Sequence, residues 1–254
     1  MKIFLSSLEC GTMKGSGRPI AHYFVEKGLK MKWNLMSYYY IQKQRELADY
    51  IKKNSELILI DSGAHSFQKG KKVDWSNYTK EYAKFIQEFD EPKVLGYFEM
   101  DVDNIIGYEK VLELRKILET VSNKIIPVWH KNRGVDDFKK MCQQYSGKLV
   151  AITGFRNEDI KDEQYLMFLK YAKKYNCKVH CLGMTRKKVL DKVPFDFTDS
   201  SSWKQEALYG RVGNKKVSRA YSKTNWHDVM LATYKEGMKM QQEYYEKWGK
   251  LNKN

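Results

Sequence analysis

Four apolar segments of this sequence each end on a residue that can carry chemistry. These residues are Asp61 after LILI, Asp101 after LGYFEM, His130 after IIPVW and Asp199 within FDFTDSSSW. A carboxylate is costly to bury unless it is paired or used. Acids that repeatedly follow buried strands therefore indicate a site, and in a (β/α)8 barrel all such strand ends meet on the active-site face.

The first and last of these residues have the sequence context of catalytic carboxylates. Asp61 is followed by Gly63, which permits a sharp turn, and it could act as a general acid or base. Asp199 is followed by three serines and could be held ionised as a nucleophile. Each has a structural alternative, since Asp61 could cap a turn and Asp199 could open the helix predicted in WKQEALYG. His130 could donate to a substrate oxygen or could be a partly buried, hydrogen-bonded histidine.

Metal-ligand spacings are incomplete in this sequence. Asp101 and Asp103 alternate in MDVDN, so they point to opposite sides if the strand continues, and the further ligands of a calcium loop are missing. Cys177 and Cys181 share one face of their strand while His180 points to the other, which does not form a short zinc knuckle. The sequence therefore predicts no metal and no cofactor.

The elements that must position these residues are eight strands that alternate with helices. The candidate strands are residues 2–7, 33–40, 57–61, 94–100, 125–130, 149–155, 178–184 and 195–201. Amphipathic helical patterns cover residues 41–54, 76–89, 107–121, 135–145 and 158–175. This alternation predicts an α/β fold, a (β/α)8 TIM-type barrel in one domain over residues 1–254. A long helical pattern at about 225–250, within a C-terminal extension at about 220–254, is expected to close or cover the barrel.

Charge and composition narrow the class of partner. The chain of 254 residues has 46 Lys and Arg against 31 Asp and Glu, a net charge of +15. Such an excess favours a polyanion, chiefly nucleic acid, although a lysine-rich surface can also serve solubility alone. No apolar run approaches the roughly 20 residues that cross a bilayer, and the N-terminus lacks the apolar core of a signal peptide. The four cysteines have no framework spacing, so a cytoplasmic location is expected.

Six segments in a fixed order match the pattern of a known family. They are Asp61-Ser62-Gly63-Ala64-His65, Asp101 at the end of FEMD, Val128-Trp129-His130, Thr153-Gly154-Phe155, Leu182-Gly183, and Phe195 to Asp199 in FDFTD. Over about residues 55–203 the chain resembles the tRNA-guanine transglycosylase superfamily. It resembles a short, zinc-less form of this superfamily, which includes the DNA 7-deazaguanine transglycosylases of phages and bacteria. It departs from the family in lacking the cysteine zinc site and in carrying His130 where the family has Gln.

The resemblance implies a glycosyltransferase that exchanges guanine in nucleic acid for a 7-deazaguanine base through a covalent aspartyl-sugar intermediate. It implies Asp199 as the nucleophile and Asp61 as the proton carrier. The implied base-binding residues are Asp101, His130, Gly154, Phe155, Leu182, Gly183 and His65. Arg186 and Lys204 are the residues that we expect to bind phosphates of the nucleic acid.

The substrate polymer and several alternatives stay open at this point. The missing zinc subdomain favours DNA as the substrate, with a tRNA-guanine transglycosylase of the queuine or preQ type as the alternative. A non-catalytic nucleic-acid-binding barrel and another barrel hydrolase are further readings. The expected setting is the cytoplasm of a bacterium or of a phage-infected host cell, without a membrane partner, and a protein partner is possible.

Overall fold

The architecture is a parallel barrel, as the sequence predicts. The computed structural model describes residues 1–67, 73–153, 160–213, 215–218 and 225–251. The barrel strands are β1 (Lys2–Ser6), β2 (Met31–Ser37), β3 (Ser55–Asp61), β4 (Val94–Phe98), β5 (Ile125–Ile126), β6 (Val128–Trp129), β7 (Leu149–Thr153), β8 (Lys178–Leu182) and β9 (Phe197–Ser200). Their order in the sheet is β5-β4-β3-β2-β1-β9-β8-β7-β6, and every neighbouring pair is parallel.

Pro127 explains why the fifth predicted strand is described as two. It lies between β5, which pairs with β4, and β6, which pairs with β7. Proline has no N–H to donate to a ladder, so the regular pairing is interrupted there. Its carbonyl still accepts from the Ala151 N–H at 2.9 Å. The two short strands therefore act as one, and they join the edges of the sheet into a ring of eight strands.

Helices surround this ring. They are α1 (Ile20–Glu26), α2 (Tyr38–Ile41), α3 (Arg45–Lys53), α4 (Trp75–Phe89), α5 (Asp103–Ile106), α6 (Tyr108–Glu119), α7 (Gly134–Gln144), α8 (Gln164–Lys174), α9 (Lys187–Leu190), α10 (Ser202–Leu208) and α11 (Trp226–Leu251). A small hairpin pairs β10 (Arg211–Val212) with β11 (Lys215–Lys216). Among the described residues, no helix combines the length and the apolar composition that a membrane crossing would need.

The long C-terminal helix covers the outside of the barrel. Tyr234 of α11 donates to Asn34 Oδ1 at 2.6 Å, and Gln241 donates to the carbonyls of Ile3 and Trp33 at 2.7 and 2.9 Å. Tyr234 and Gln241 are fully buried. The helix therefore seals the β1 and β2 side with apolar packing and with hydrogen bonds to strand carbonyls, as expected for a covering element.

Several predicted strands extend beyond the observed ones, among them those at 33–40, 94–100, 178–184 and 195–201. The second was predicted to run to residue 40, but α2 begins at Tyr38, whose ring packs 4.7 Å from that of Tyr82. The fourth was predicted to run to residue 100, but β4 ends at Phe98. Tertiary packing decides such boundaries, because aromatic residues suit both states.

Alternate positions along the strands fill the barrel interior. The interior cluster consists of Phe4, Trp33, Leu35, Leu59, Phe98, Ile126, Val128, Ala151 and Phe197. The intervening strand residues pack outward against the helices. Because side chains alternate along a strand, this pattern also fixes which residues at the strand ends point inward.

Candidate active site

The inward positions beyond the apolar layer are polar and form the mouth of the barrel. Asp61 lies two residues after the inward-facing Leu59 on β3, so it also points inward. Asp199 lies two residues after the inward-facing Phe197 on β9 and points inward for the same reason. His130 directly follows β6 and lies two residues after the inward-facing Val128. All three lie at the carboxyl ends of their strands, where barrel enzymes carry their chemistry.

Asp61 lies in an environment that favours its protonated form. Its Oδ2 accepts from the Gly63 N–H at 3.1 Å. Burial, followed by the negative charges of Asp101, Asp199 and Glu9, raises the pKa of Asp61 to about 7, against the opposing effect of the Gly63 N–H. A carboxyl group with such a pKa exists in both forms at neutral pH, as a general acid and base requires.

The turn after Asp61 requires glycine. Gly63 has a φ of 73°, in the left-handed region. A Cβ added there would lie 2.4 Å from Tyr39 Cβ and 2.7 Å from Ser37 Oγ. Only glycine therefore permits the chain to turn closely enough to return its N–H to Asp61.

Asp199 is held by two hydrogen-bonding partners, one on the neighbouring strand β8 and one directly after it. Its Oδ1 accepts from the Gly183 N–H at 2.8 Å and lies 3.0 Å from His180 Nε2. His180 is fully buried beside the rings of Phe4 and Phe98, at 6.4 and 5.0 Å between centroids. The Asp199 side chain keeps 14% of its surface exposed. Asp199 is thus oriented by rigid partners while remaining open to the mouth.

A second polar cluster lies at the ends of β4 and β6. His130 Nε2 is hydrogen-bonded to Asp101 Oδ1 and lies 3.8 Å from Asp103 Oδ1. Burial disfavours the imidazolium, but the hydrogen bond to Asp101 and the charges of both acids outweigh it and raise the pKa of His130. The prediction that Asp101 and Asp103 point to opposite sides required the strand to continue, but β4 ends at Phe98 and Asp103 begins α5.

One acid in the mouth was missed by sequence reasoning. Glu9 lies in the 3-10 turn Leu8–Cys10 after β1, is 3% exposed, and its Oε1 accepts from the Ser37 N–H at 3.0 Å. Burial raises the pKa of Glu9 to about 7, while the Ser37 N–H and the charge of Lys204 oppose this shift. Its signal in the sequence was an acid that follows the strand predicted at residues 2–7 by two positions.

The other predicted site residues have mixed outcomes. Leu182 packs at the edge of the barrel interior, whereas Gly183 gives its N–H to Asp199. The charge of Lys204 opposes the upward shift in the pKa of Glu9. Arg186 is 49% exposed and forms an ion pair of 2.8 Å with Asp162. Gly154, Phe155 and the side chain of His65 lie outside the described residues, and their predicted roles stay predictions.

Comparisons with known proteins add little to this description. No family model matches the chain, and no curated protein matches it. A solved structure described as "QR15, an Aldolase" is similar at a TM-score of 0.49 and 16% sequence identity, over 82% of this chain and 96% of that one.

Proposed function

We propose that this chain is a nucleic-acid guanine transglycosylase that exchanges guanine for a 7-deazaguanine base, with DNA as the favoured polymer. The observation that carries the proposal is the pair Asp61 and Asp199. Both are inward-facing acids of one mouth and both accept from a glycine N–H, but burial and neighbouring acids raise the pKa of Asp61 to about 7, whereas Asp199 also has His180 Nε2 at 3.0 Å. Such different environments suit two carboxyl groups to different roles, which we assign as proton carrier for Asp61 and nucleophile for Asp199.

The first half of the reaction would remove guanine. Asp199 attacks C1′ of the sugar as the bond between C1′ and N9 breaks, through a transition state with oxocarbenium character. The electron pair of the broken bond leaves with guanine, and the proton held by Asp61 neutralises it. Gly183 and His180 keep the attacking carboxylate oriented because both bind its Oδ1.

The second half would install the new base. Asp61, now ionised, takes the proton from N9 of the incoming 7-deazaguanine. N9 then bonds to C1′, and the bond between C1′ and the Asp199 oxygen breaks, which returns both acids to their starting forms. A two-step exchange of this kind has ping-pong kinetics.

We assign recognition of guanine to the second polar cluster, which contains Asp101 and His130. Guanine presents N–H donors at N1 and N2 and an acceptor at O6, so a carboxylate such as Asp101 suits its donor edge. His130 beside it suits O6, and Leu182 offers an apolar contact to the ring. The resemblance adds Gly154, Phe155 and His65 to this pocket. The base must leave its stack to reach the mouth, and the net charge of +15 suits the polyanion that carries it.

The test is incorporation of labelled guanine into duplex DNA, single-stranded DNA and bulk tRNA by the wild-type chain, Asp199→Asn and Asp49→Asn. Asp49 is the matched control, because it is an exposed acid on α3 in an ion pair with Arg45. We expect incorporation by the wild type and the control, and none by Asp199→Asn, with nucleic-acid binding retained. Turnover by Asp199→Asn would remove this residue as the nucleophile. Binding without exchange, also with 7-deazaguanines as the incoming base, would favour the non-catalytic barrel.

A further inference from the structure

Three potential metal ligands come together at the mouth from separate parts of the chain. Asp101 follows β4, Asp103 begins α5, and His130 follows β6. One ligand atom from each residue lies within 4.8 Å of the other two. The ring of the barrel brings the ends of β4 and β6 together, although 29 positions separate Asp101 from His130.

Among the described residues, Asp103 is buried with no hydrogen-bond partner, and His130 is the cationic group that lies near it. Its side chain is 5% exposed, and within the described part of the chain neither of its carboxylate oxygens has a hydrogen-bond partner. The imidazole of His130 lies 3.8 Å away and is already hydrogen-bonded to Asp101. Arg133 approaches Asp137 at 3.2 Å instead. A buried carboxylate without a partner costs several kcal/mol, so this site calls for a cation.

We propose that Asp101, Asp103 and His130 bind a divalent first-row transition-metal ion, with Zn²⁺ and Mn²⁺ as the best candidates. One imidazole nitrogen and two carboxylates form a mixed ligand set that suits such ions better than Ca²⁺ or Mg²⁺, which prefer oxygen alone. Three protein ligands leave at least one coordination position for an oxygen of a bound molecule.

The site differs from those that the sequence excludes. The sequence lacks a calcium loop and a cysteine cluster, which are local motifs. Asp101, Asp103 and His130 instead come from the ends of two strands that only the fold brings together. The inference rests on this cluster alone and does not depend on the transglycosylase proposal.

The experiment measures metal binding, not exchange. The full chain, freed of any histidine tag and stripped with a chelator, is titrated calorimetrically with Zn²⁺, Mn²⁺, Mg²⁺ or Ca²⁺, and bound metal is counted by mass spectrometry. We expect one Zn²⁺ or Mn²⁺ per chain and weaker binding of Mg²⁺ and Ca²⁺. Asp103→Asn should weaken Zn²⁺ and Mn²⁺ binding by at least about 10-fold, whereas Asp49→Asn should bind as the wild type does.

Thermal unfolding of the same proteins gives a second readout that a merely structural role would not produce. Without metal, Asp103→Asn should melt at a higher temperature than the wild type, because the buried unpaired charge is gone. With metal, the wild type should gain stability and the variant should not. Absence of Zn²⁺ and Mn²⁺ binding up to millimolar concentration, or equal binding by Asp103→Asn, would overturn the proposal. Loss of exchange with intact metal binding would count against the transglycosylase alone.

Discussion

Replacement of Asp61 by Asn is expected to stabilise the protein, and by more at pH 8 than at pH 5. Burial and the nearby acids raise the pKa of Asp61 from its ordinary 3.8 to about 7. The unfolded chain therefore releases this proton at lower pH than the folded chain does. The free energy of unfolding falls as the pH rises from about 4 to about 7, and it stays lowered above that window. Asn carries no charge, and its side-chain oxygen can still accept from the Gly63 N–H, so the variant escapes this loss.

The magnitude follows from the two pKa values. A pKa of 3.8 in the unfolded chain and of about 7 in the folded chain lowers the free energy of unfolding by about 1.7 kcal/mol at pH 5 and about 4 kcal/mol at pH 8. These are upper values, because Asp61 is only partly buried and solvent at the mouth screens part of the repulsion. With half of the effect as the lower bound, Asp61→Asn should gain about 2–4 kcal/mol at pH 8 and about 1–2 kcal/mol at pH 5.

Urea unfolding at several pH values between 5 and 8 measures this gain, since urea adds no ionic screening. Asp49→Asn is the control and should change stability by less than about 0.5 kcal/mol at every pH, because an exposed pair on a helix contributes little. A gain for Asp61→Asn that does not depend on pH would refute the reasoning, as would a loss at pH 8. Either result would mean that the carboxyl group is already ionised without penalty in the folded protein.

Three further outcomes are expected. His180→Gln should lower the rate of exchange at least about 10-fold while nucleic-acid affinity is kept, because Asp199 loses an orienting partner; wild-type turnover in a folded variant would contradict this. Arg115→Met should cost about 3–5 kcal/mol in urea unfolding, because Arg115 and Glu99 form an ion pair at 3% and 1% exposure. Adding Glu99→Gln should restore part of the lost stability, because it removes the buried charge that Arg115→Met leaves unpaired. If no stability is recovered, the unpaired charge of Glu99 is not the cause of the loss. Asp101→Ala should impair discrimination among competing bases more than DNA affinity, and unchanged selectivity would assign base reading elsewhere.

Pattern reasoning located the barrel and two of its acids because both depend on local periodicity. Continuous apolar runs such as LILI mark strands covered on both faces, and a polar residue at the end of such a run must lie at a strand terminus. Asp61 and Asp199 follow from that rule, with a further two-residue alternation that turns them inward. The two-residue alternation did not apply to Asp103, because β4 ends at Phe98 and the chain turns into α5.

The sequence by itself determined the eight strands, the surrounding helices, the excess of positive charge and the placement of acids at strand ends. Only the tertiary structure decided which of these groups meet. The register of β8 against β9 brings His180 to Asp199, and the closed ring brings His130 to Asp101 and Asp103. Periodicity encodes which way a side chain points but not which strand lies beside it, because that neighbour is fixed by long-range packing of the whole barrel.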